Sequence, residues 1–587
     1  MAEACAGWTD KAGDRHDCQF GDEERVRFPG GKTYCRFHLP MGEPGQGGKA
    51  DWNEDRQAAI SDAIIDRTRA ENEKPEDQRE KLDFSGVVVP AALDLSKESI
   101  LWIDFRLTQF HDAVGFEMSQ FQGDASFFGA RFSRDAKFGG AQFHGEASFG
   151  AVRFGEHAWF GGAQFHADVT FEEAVFIGVA QLDKTHFHRD AWFRKARFQE
   201  DAWFGRAEFR RVASFNEAQF YAVARFDGAR FQQQGFFAAA EFHGNVIFEK
   251  SQFQGDSLFR EALFEVDASF GEVQFQKHAW FDETRFHGDA RFDMAQFSRD
   301  ARFDKAQFHR RASFGKVRFH EHAWFDETQF LDGVEFAGSL FQKNAVFGGS
   351  ADAAQSDARQ FNEFRFDNAY FSGAADFSNR EFRDTTDFSN CVFMQAPSFH
   401  GSTLHQDTAF GGIECFPDVS SDGAERAYRS LRQAMEELRA RLEEGMFYAL
   451  EQKSRRRRLK NYDPVFLISL GYELGSNYGL SVVRPLLWLV GGVFASAIML
   501  LFVGVFGGAG GAGTALNNMW NDALLFSIRQ TFLPFDALRS PNEILETAYS
   551  FNPGGTGWLR AWGMVLSLFE VPVGLLLVLA VRWRYRR

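Results

Sequence analysis

Cysteine is scarce in this chain, with five among 587 residues, at positions 5, 18, 35, 391 and 415. That density excludes a disulfide scaffold. Proline is thin as well, at 13 residues. Positive charge is not in excess: the formal net charge is −16, which argues against general binding to a phosphate backbone. The opening stretch, MAEACAGWTDKAGDRHDCQF, has no apolar core, so no secretory signal is expected. Paired carboxylates, a Ser/His/Asp set and a phosphate-cradling glycine loop do not stand out, so no enzyme is expected. Tyrosine and tryptophan are modest, at 10 and 13, whereas phenylalanine reaches 71. One kind of position is filled with Phe again and again, and such bias points to internal repeats.

In DARFDMAQFSRDARFDKAQFHRRASF (289–314) phenylalanine returns after five residues, then six, then five, then six. A period of eleven fits a supercoiled helix on spacing alone. The intervening Gly, Asp, Asn, Ser and His are poor helix formers, which excludes it. Two residues before each Phe stands Ala, as in Ala290–Phe292, Ala301–Phe303 and Ala312–Phe314. Residues i and i+2 share one face of a strand, so each unit is a very short strand with one small and one large side chain inward. Strands this short must pair with the equivalent unit one coil on, as parallel coils about 4.8 Å apart. Eleven residues per coil would give a perimeter of roughly 36 Å, too tight for two Phe; about 22 residues make a square. The residue before Phe falls into two classes. One is Gln or Arg, as at Gln142, Gln274 and Gln307; the other is Ser or Trp, as at Ser126, Trp159, Trp203, Trp280 and Trp324. The two classes are expected to point outward on alternate sides.

Ala-x-Phe-x-x resembles the unit of pentapeptide-repeat proteins, Ala-(Asp/Asn)-Leu/Phe-x-x. The resemblance covers roughly residues 84–410. It implies an all-β, right-handed quadrilateral β-helix, a solenoid, over 84–347, with a loop insertion at 348–365 and final coils at 366–416. The chain departs from the strict unit by one extra residue in every second repeat. Some members imitate duplex DNA and bind topoisomerases. The mixed Arg/Gln faces and the apolar C-terminal runs make that reading the weaker one here, and nucleic acid is not an expected partner.

The ends carry other chemistry. Within residues 1–40, Cys5, Cys18 and Cys35 with His38 in TYCRFH suggest a structural zinc site of Cys₃His type. The histidines of the repeat, such as His144 and His309, read as solvated corner residues. Residues 51–74 read as an amphipathic helix and 422–460 as another, with Tyr428, Leu431, Met435, Leu438, Leu442, Met446 and Leu450 along its stripe.

Residues 484–506 and 558–587 each hold about twenty apolar residues, enough for a transmembrane helix. The fold class expected is therefore a β-solenoid plus a C-terminal α-helical transmembrane module, 484–587. Arg455, Arg456, Arg457, Arg458 and Arg484 precede the first span; Arg582 and Arg584 follow the second. Positive flanks on both sides place both termini and the solenoid in the cytoplasm, with the spans in the inner (cytoplasmic) membrane. Between the spans, 521–535 reads as a re-entrant or interfacial helix. Span, short helix, span looks like a degenerate two-transmembrane pore domain, although no Thr-x-Gly-Tyr-Gly filter follows the short helix. Glu570 falls mid-span, where an ionisable group faces a cavity or a partner; Arg529 is one candidate partner. The functional expectation is an oligomeric, channel-like membrane protein whose cytosolic rod serves as sensor, gate or docking surface for a protein partner. The alternative is a membrane-anchored scaffold.

Overall fold

The computed structural model describes residues 32–349, 360–506, 515–532 and 556–585, with short strands at 8–9, 15–16 and 25–27. The chain divides into two compact units, Met1–Gly411 and Gly412–Arg587.

The first unit is a parallel solenoid of about fourteen turns with four sheets of 14, 15, 14 and 14 strands. Side I begins at Val88–Val89, side II at Leu93–Asp94, side III at Ser99–Ile100 and side IV at Leu82–Asp83. Pairing advances by one coil, as in Phe110↔Phe132↔Phe154 on side I and Ala136↔Ala158↔Ala180 on side II. The two outward classes alternate around the square. Gln142 and Gln274 lie on side III and Gln307 on side I; Trp159 and Trp203 lie on side II and Trp280 and Trp324 on side IV. Inward, Phe rings stack at one-coil intervals: Phe281, Phe303 and Phe325 are 4.8 and 4.9 Å apart.

The alternating clock records two kinds of corner. After sides II and IV the five-residue unit closes in a tight turn whose last residue is left-handed, as at Lys184, Glu217 and Lys305 (φ 56°, 57° and 57°). Such a conformation costs a non-glycine residue about 1 kcal/mol or more. The compensation is visible: each of these N–H groups donates to the next coil, at 2.9 Å to Gly205, Ala238 and Asp326 carbonyls. After sides I and III the extra residue makes a wider bend. Coils approach closely there; a Cβ on Gly244 would stand 2.3 Å from the Ala222 carbonyl oxygen. Where Thr replaces the inward Ala, its hydroxyl donates to a carbonyl one coil back, as Thr185 does to Phe160 and Thr284 to Phe259, at 2.9 and 2.8 Å.

The open end of the solenoid is capped. α1, Glu54–Glu73, buries Ile60 and Ile64, and Ser61 Oγ donates to the Ala91 carbonyl. Phe37 O accepts from Val88 N at 3.0 Å, extending the ladder past the first coil.

At the other end the repeat is interrupted. Leu340 pairs with Tyr370, thirty positions on, where Arg318 pairs with Leu340, twenty-two on. Strands resume at Gln360–Phe361. Arg380 takes the inward position that Ala306 and Thr328 hold in earlier coils. Its guanidinium reaches back into the two preceding coils, donating to Phe347 O, Thr328 O and Phe325 O at 2.5, 3.0 and 3.0 Å, over the Phe361 ring. Burial pulls its pKa down to about 9. Burial, then the neighbouring Asp304, pushes Asp326 at the same corner up to about 6.

The second unit differs from the single helix expected over 422–460. α2, Ala424–Glu437, and α3, Arg441–Arg457, form a hairpin. The break is at Arg439, left-handed at φ 58°. Tyr428, Leu431 and Met435 are buried, but Leu442 is 68 % exposed, so the stripe is not continuous. Glu451 on α3 binds Arg429 and Arg432 on α2, both at 2.9 Å. Then follow α4, Pro464–Ser476; α5, Val483–Phe506; α6, Ala515–Phe532; and α7, Thr556–Tyr585. α5 and α7 are long and apolar enough to cross a membrane. α6 starts six residues before the helix expected at 521–535.

Candidate functional site

The helices α5, α6 and α7 pack against one another, and the three enclose polar side chains. Ser496, Ser527, Gln530, Ser567 and Glu570 are all buried. Ser527, Gln530 and Thr531 recur on one face of α6 at helical spacing. Ser527 Oγ lies 2.9 Å from Ser496 Oγ of α5, and Trp562 Nε1 of α7 donates to the same Ser496 oxygen at 3.1 Å. One turn on, the Thr531 hydroxyl donates to Glu570 Oε2.

Glu570 is 2 % exposed, and its Oε1 has no hydrogen-bond partner among the described residues. Gly492 of α5 makes room for it: a Cβ there would stand 3.1 Å from Oε1. Pro572, inside α7, cannot donate to the Leu568 carbonyl, which loosens the same turn. Arg529 does not partner Glu570 as the sequence suggested. It lies on the exposed side of α6, two residues from both Ser527 and Thr531 and so about 200° around the helix. Thr531 was the residue sequence reasoning missed; its signal was the Ser527–Thr531 spacing.

The basic flank is only partly free to meet a charged surface. Arg456 pairs with Glu473, and Arg458 bonds the Asp422 carbonyl and Glu425. Arg484 donates to the Glu473 carbonyl at 3.1 Å. Arg455, Arg457 and Arg582 are exposed. The side chain of Arg584 lies outside the described residues.

At the N-terminus, Cys5 and Cys18 lie outside the described residues. Cys35 and His38 are both buried, with Sγ and Nδ1 3.2 Å apart. His38 Nε2 is 3.2 Å from the Ser85 carbonyl, which only accepts; the ring proton therefore sits on Nε2 and Nδ1 turns its lone pair toward Cys35. Burial lowers the pKa of His38, keeping it neutral. Lys49 is also fully buried, bonding the Phe37 and Val88 carbonyls at 2.8 and 2.5 Å. Among the described residues no group of three or more metal-ligating side chains converges.

Along the solenoid the outward tryptophans are half-buried against their own corners. His157, His278 and His322 lie 5.6, 5.7 and 5.9 Å from Trp159, Trp280 and Trp324. On side II, Gly161, Gly162 and Gly205 leave a notch of about 580 Å³ beside Trp203, edged by Asp183, Arg206 and Arg225.

A sequence profile described as pentapeptide repeats matches residues 105–351 in overlapping segments and 366–414 again, just over half of the chain. No curated protein and no solved structure matches it.

Proposed function

This chain belongs to the pentapeptide-repeat family, and from that premise we propose a non-enzymatic, oligomeric membrane protein with a pore-like C-terminal module. The solenoid is its cytoplasmic sensing, gating or docking rod. The observation that carries this reading is Glu570: a buried carboxyl in the middle of an apolar helix, held by Thr531 of the short helix between the spans. An ionisable group at that depth is expensive and marks a pathway or a partner. Two spans do not enclose a pore, so several copies must assemble. Most of the surface of α5 and α7 is exposed and open to lipid or to neighbouring copies.

Ion flux from liposomes tests the proposal. Wild-type protein is expected to conduct, and Glu570→Ala to reduce flux about tenfold or more, since it removes the one buried carboxyl among the described residues of the polar seam. Unchanged flux in the variant contradicts the role of Glu570. Absence of flux from correctly inserted protein favours the scaffold reading, for which the Trp203 notch is the docking feature.

Zinc at the N-terminus is a further part of the proposal. Cys35 and His38, 3.2 Å apart, would supply two of its four ligands, with Cys5 and Cys18 as the others. The purified full-length protein is expected to carry about one zinc per chain, lost in Cys35→Ser. Metal analysis that finds none sinks this part alone.

A further inference from the structure

The short helix α4 was not expected as an element of its own, and its surface is inverted for a water-facing helix. Asp463 caps it, accepting from Val465 N at 2.8 Å, with Pro464 in the first turn; Asn477 ends it at φ 49°. Its 13 residues span about 20 Å, too short to cross a bilayer core of about 30 Å.

The inner face of α4 is polar and fully engaged. Glu473 takes Lys453 at 3.5 Å and Arg456, both from α3. Burial alone would raise the Glu473 pKa, but those two cations outweigh it and hold the carboxyl below its usual range. Ser469 Oγ lies 2.8 Å from the Tyr478 hydroxyl, which also accepts from Arg456 at 3.2 Å.

The outer face is formed by Pro464, Val465, Leu467, Ile468, Gly471 and Leu474, without one charged or polar side chain. Val465, Leu467, Ile468 and Leu474 are 51, 58, 72 and 54 % exposed. This face continues directly into the apolar spans. Trp488 Nε1 of α5 donates to the Leu474 carbonyl at 3.0 Å, and Gly475 lies against Leu576 of α7. Just upstream, Arg455, Arg457 and Lys460 are exposed.

We propose that α4 lies in the plane of the membrane interface. Its outer apolar face rests in the acyl boundary, while Arg455, Arg457 and Lys460 engage the headgroups of anionic lipids. Apolar area sets the depth of such a helix, and basic residues add attraction to anionic lipid. The Glu473 contacts with Lys453 and Arg456 then couple lipid charge to the α2–α3 hairpin. The inference rests on α5 and α7 spanning the bilayer.

Amide hydrogen exchange on the full-length protein in nanodiscs tests it, comparing phosphatidylcholine alone with phosphatidylcholine plus about 30 % phosphatidylserine. Residues 465–476 are expected to exchange about fivefold or more slowly in the anionic membrane. Arg455→Gln, Arg457→Gln and Lys460→Gln together are expected to abolish the difference. Leu467→Asp with Ile468→Asp is expected to remove protection of α4 in both membranes while α5 and α7 stay protected. Equal exchange in the two membranes overturns the proposal, as does a difference that survives the three Gln substitutions. It equally overturns it if the Asp pair leaves α4 protected, since a protein partner or second copy would then be covering this face. Rapid exchange throughout α5 and α7 overturns the membrane reading itself, a distinguishable failure.

Discussion

Phe303→Asp is expected to abolish cooperative folding of the solenoid, while Gln307→Asp, four residues on, leaves stability within about 0.5 kcal/mol of wild type. Phe303 has no exposed surface. Its ring stacks between Phe281 and Phe325 and meets Phe292 and Phe314 edge-on, both at 5.4 Å. A carboxylate there would find no donor, since the surrounding backbone groups are already paired along the coils. An uncompensated buried charge costs several kcal/mol, and the lost ring adds about 3–5 kcal/mol of transfer and cavity terms. Each coil is stabilised by its neighbours, so the defect spreads along the rod. Gln307 points outward on side I and loses no core contact. Denaturant unfolding of the full-length protein, followed by far-UV circular dichroism, reads the difference. Equal midpoints for the two variants would refute the inward and outward assignments.

Arg380→Ala is expected to cost about 3–5 kcal/mol, localised to the coils beside the insertion. The side chain does three things at once. It fills the inward position held by Ala or Thr in earlier coils, supplies donors to three carbonyls from two coils, and places a cation over Phe361. Alanine removes a buried donor from each of those carbonyls, and Phe325 O keeps the Thr328 N–H at 3.2 Å. Hydrogen exchange should accelerate around 325–347 and 361–382 and leave the first coils unchanged; uniform protection would contradict the account. The pH dependence is a second readout. Asp326 has a folded pKa of about 6 against an ordinary 3.8, so the native state holds its proton more tightly than the unfolded chain does. Stability therefore falls as pH rises from about 4 to about 6 and stays lower above that. Arg380 opposes the shift, so its removal should raise the Asp326 pKa further and extend the fall to higher pH. Asp326→Asn should remove the fall and be more stable than wild type above about pH 6.

These two sites mark where sequence reading succeeds and where it stops. The ladder at Phe303 was legible because Ala and Phe recur at fixed offsets, and a strand places i and i+2 on one face. The two corner types were implied by the same alternation, although the left-handed residues are more often Lys or Glu than Gly and carry no local signal. Arg380 was not legible. In SNREFRD it looks like one more outward Arg, and its burial depends on carbonyls up to 55 positions back. Arg439 likewise breaks a helix that residue propensity would continue. In the C-terminal helices, Glu570 stood out as a lone charge in an apolar run, but its partner was decided by helix phase: Thr531 faces α7 and Arg529 does not. α4 escaped notice because DPVFLISLGYELG is too short for a span and too apolar for a surface helix; its Asp-Pro start was the available signal.

The central claim is that the rod is architecture and that the chain acts through an assembled membrane module. Its most direct test is the mass of the purified full-length protein in detergent or nanodiscs, measured by light scattering with the lipid contribution subtracted. The account predicts a defined oligomer of several copies. A strictly monomeric protein would contradict it, because α5 and α7 of a single chain cannot enclose a pore.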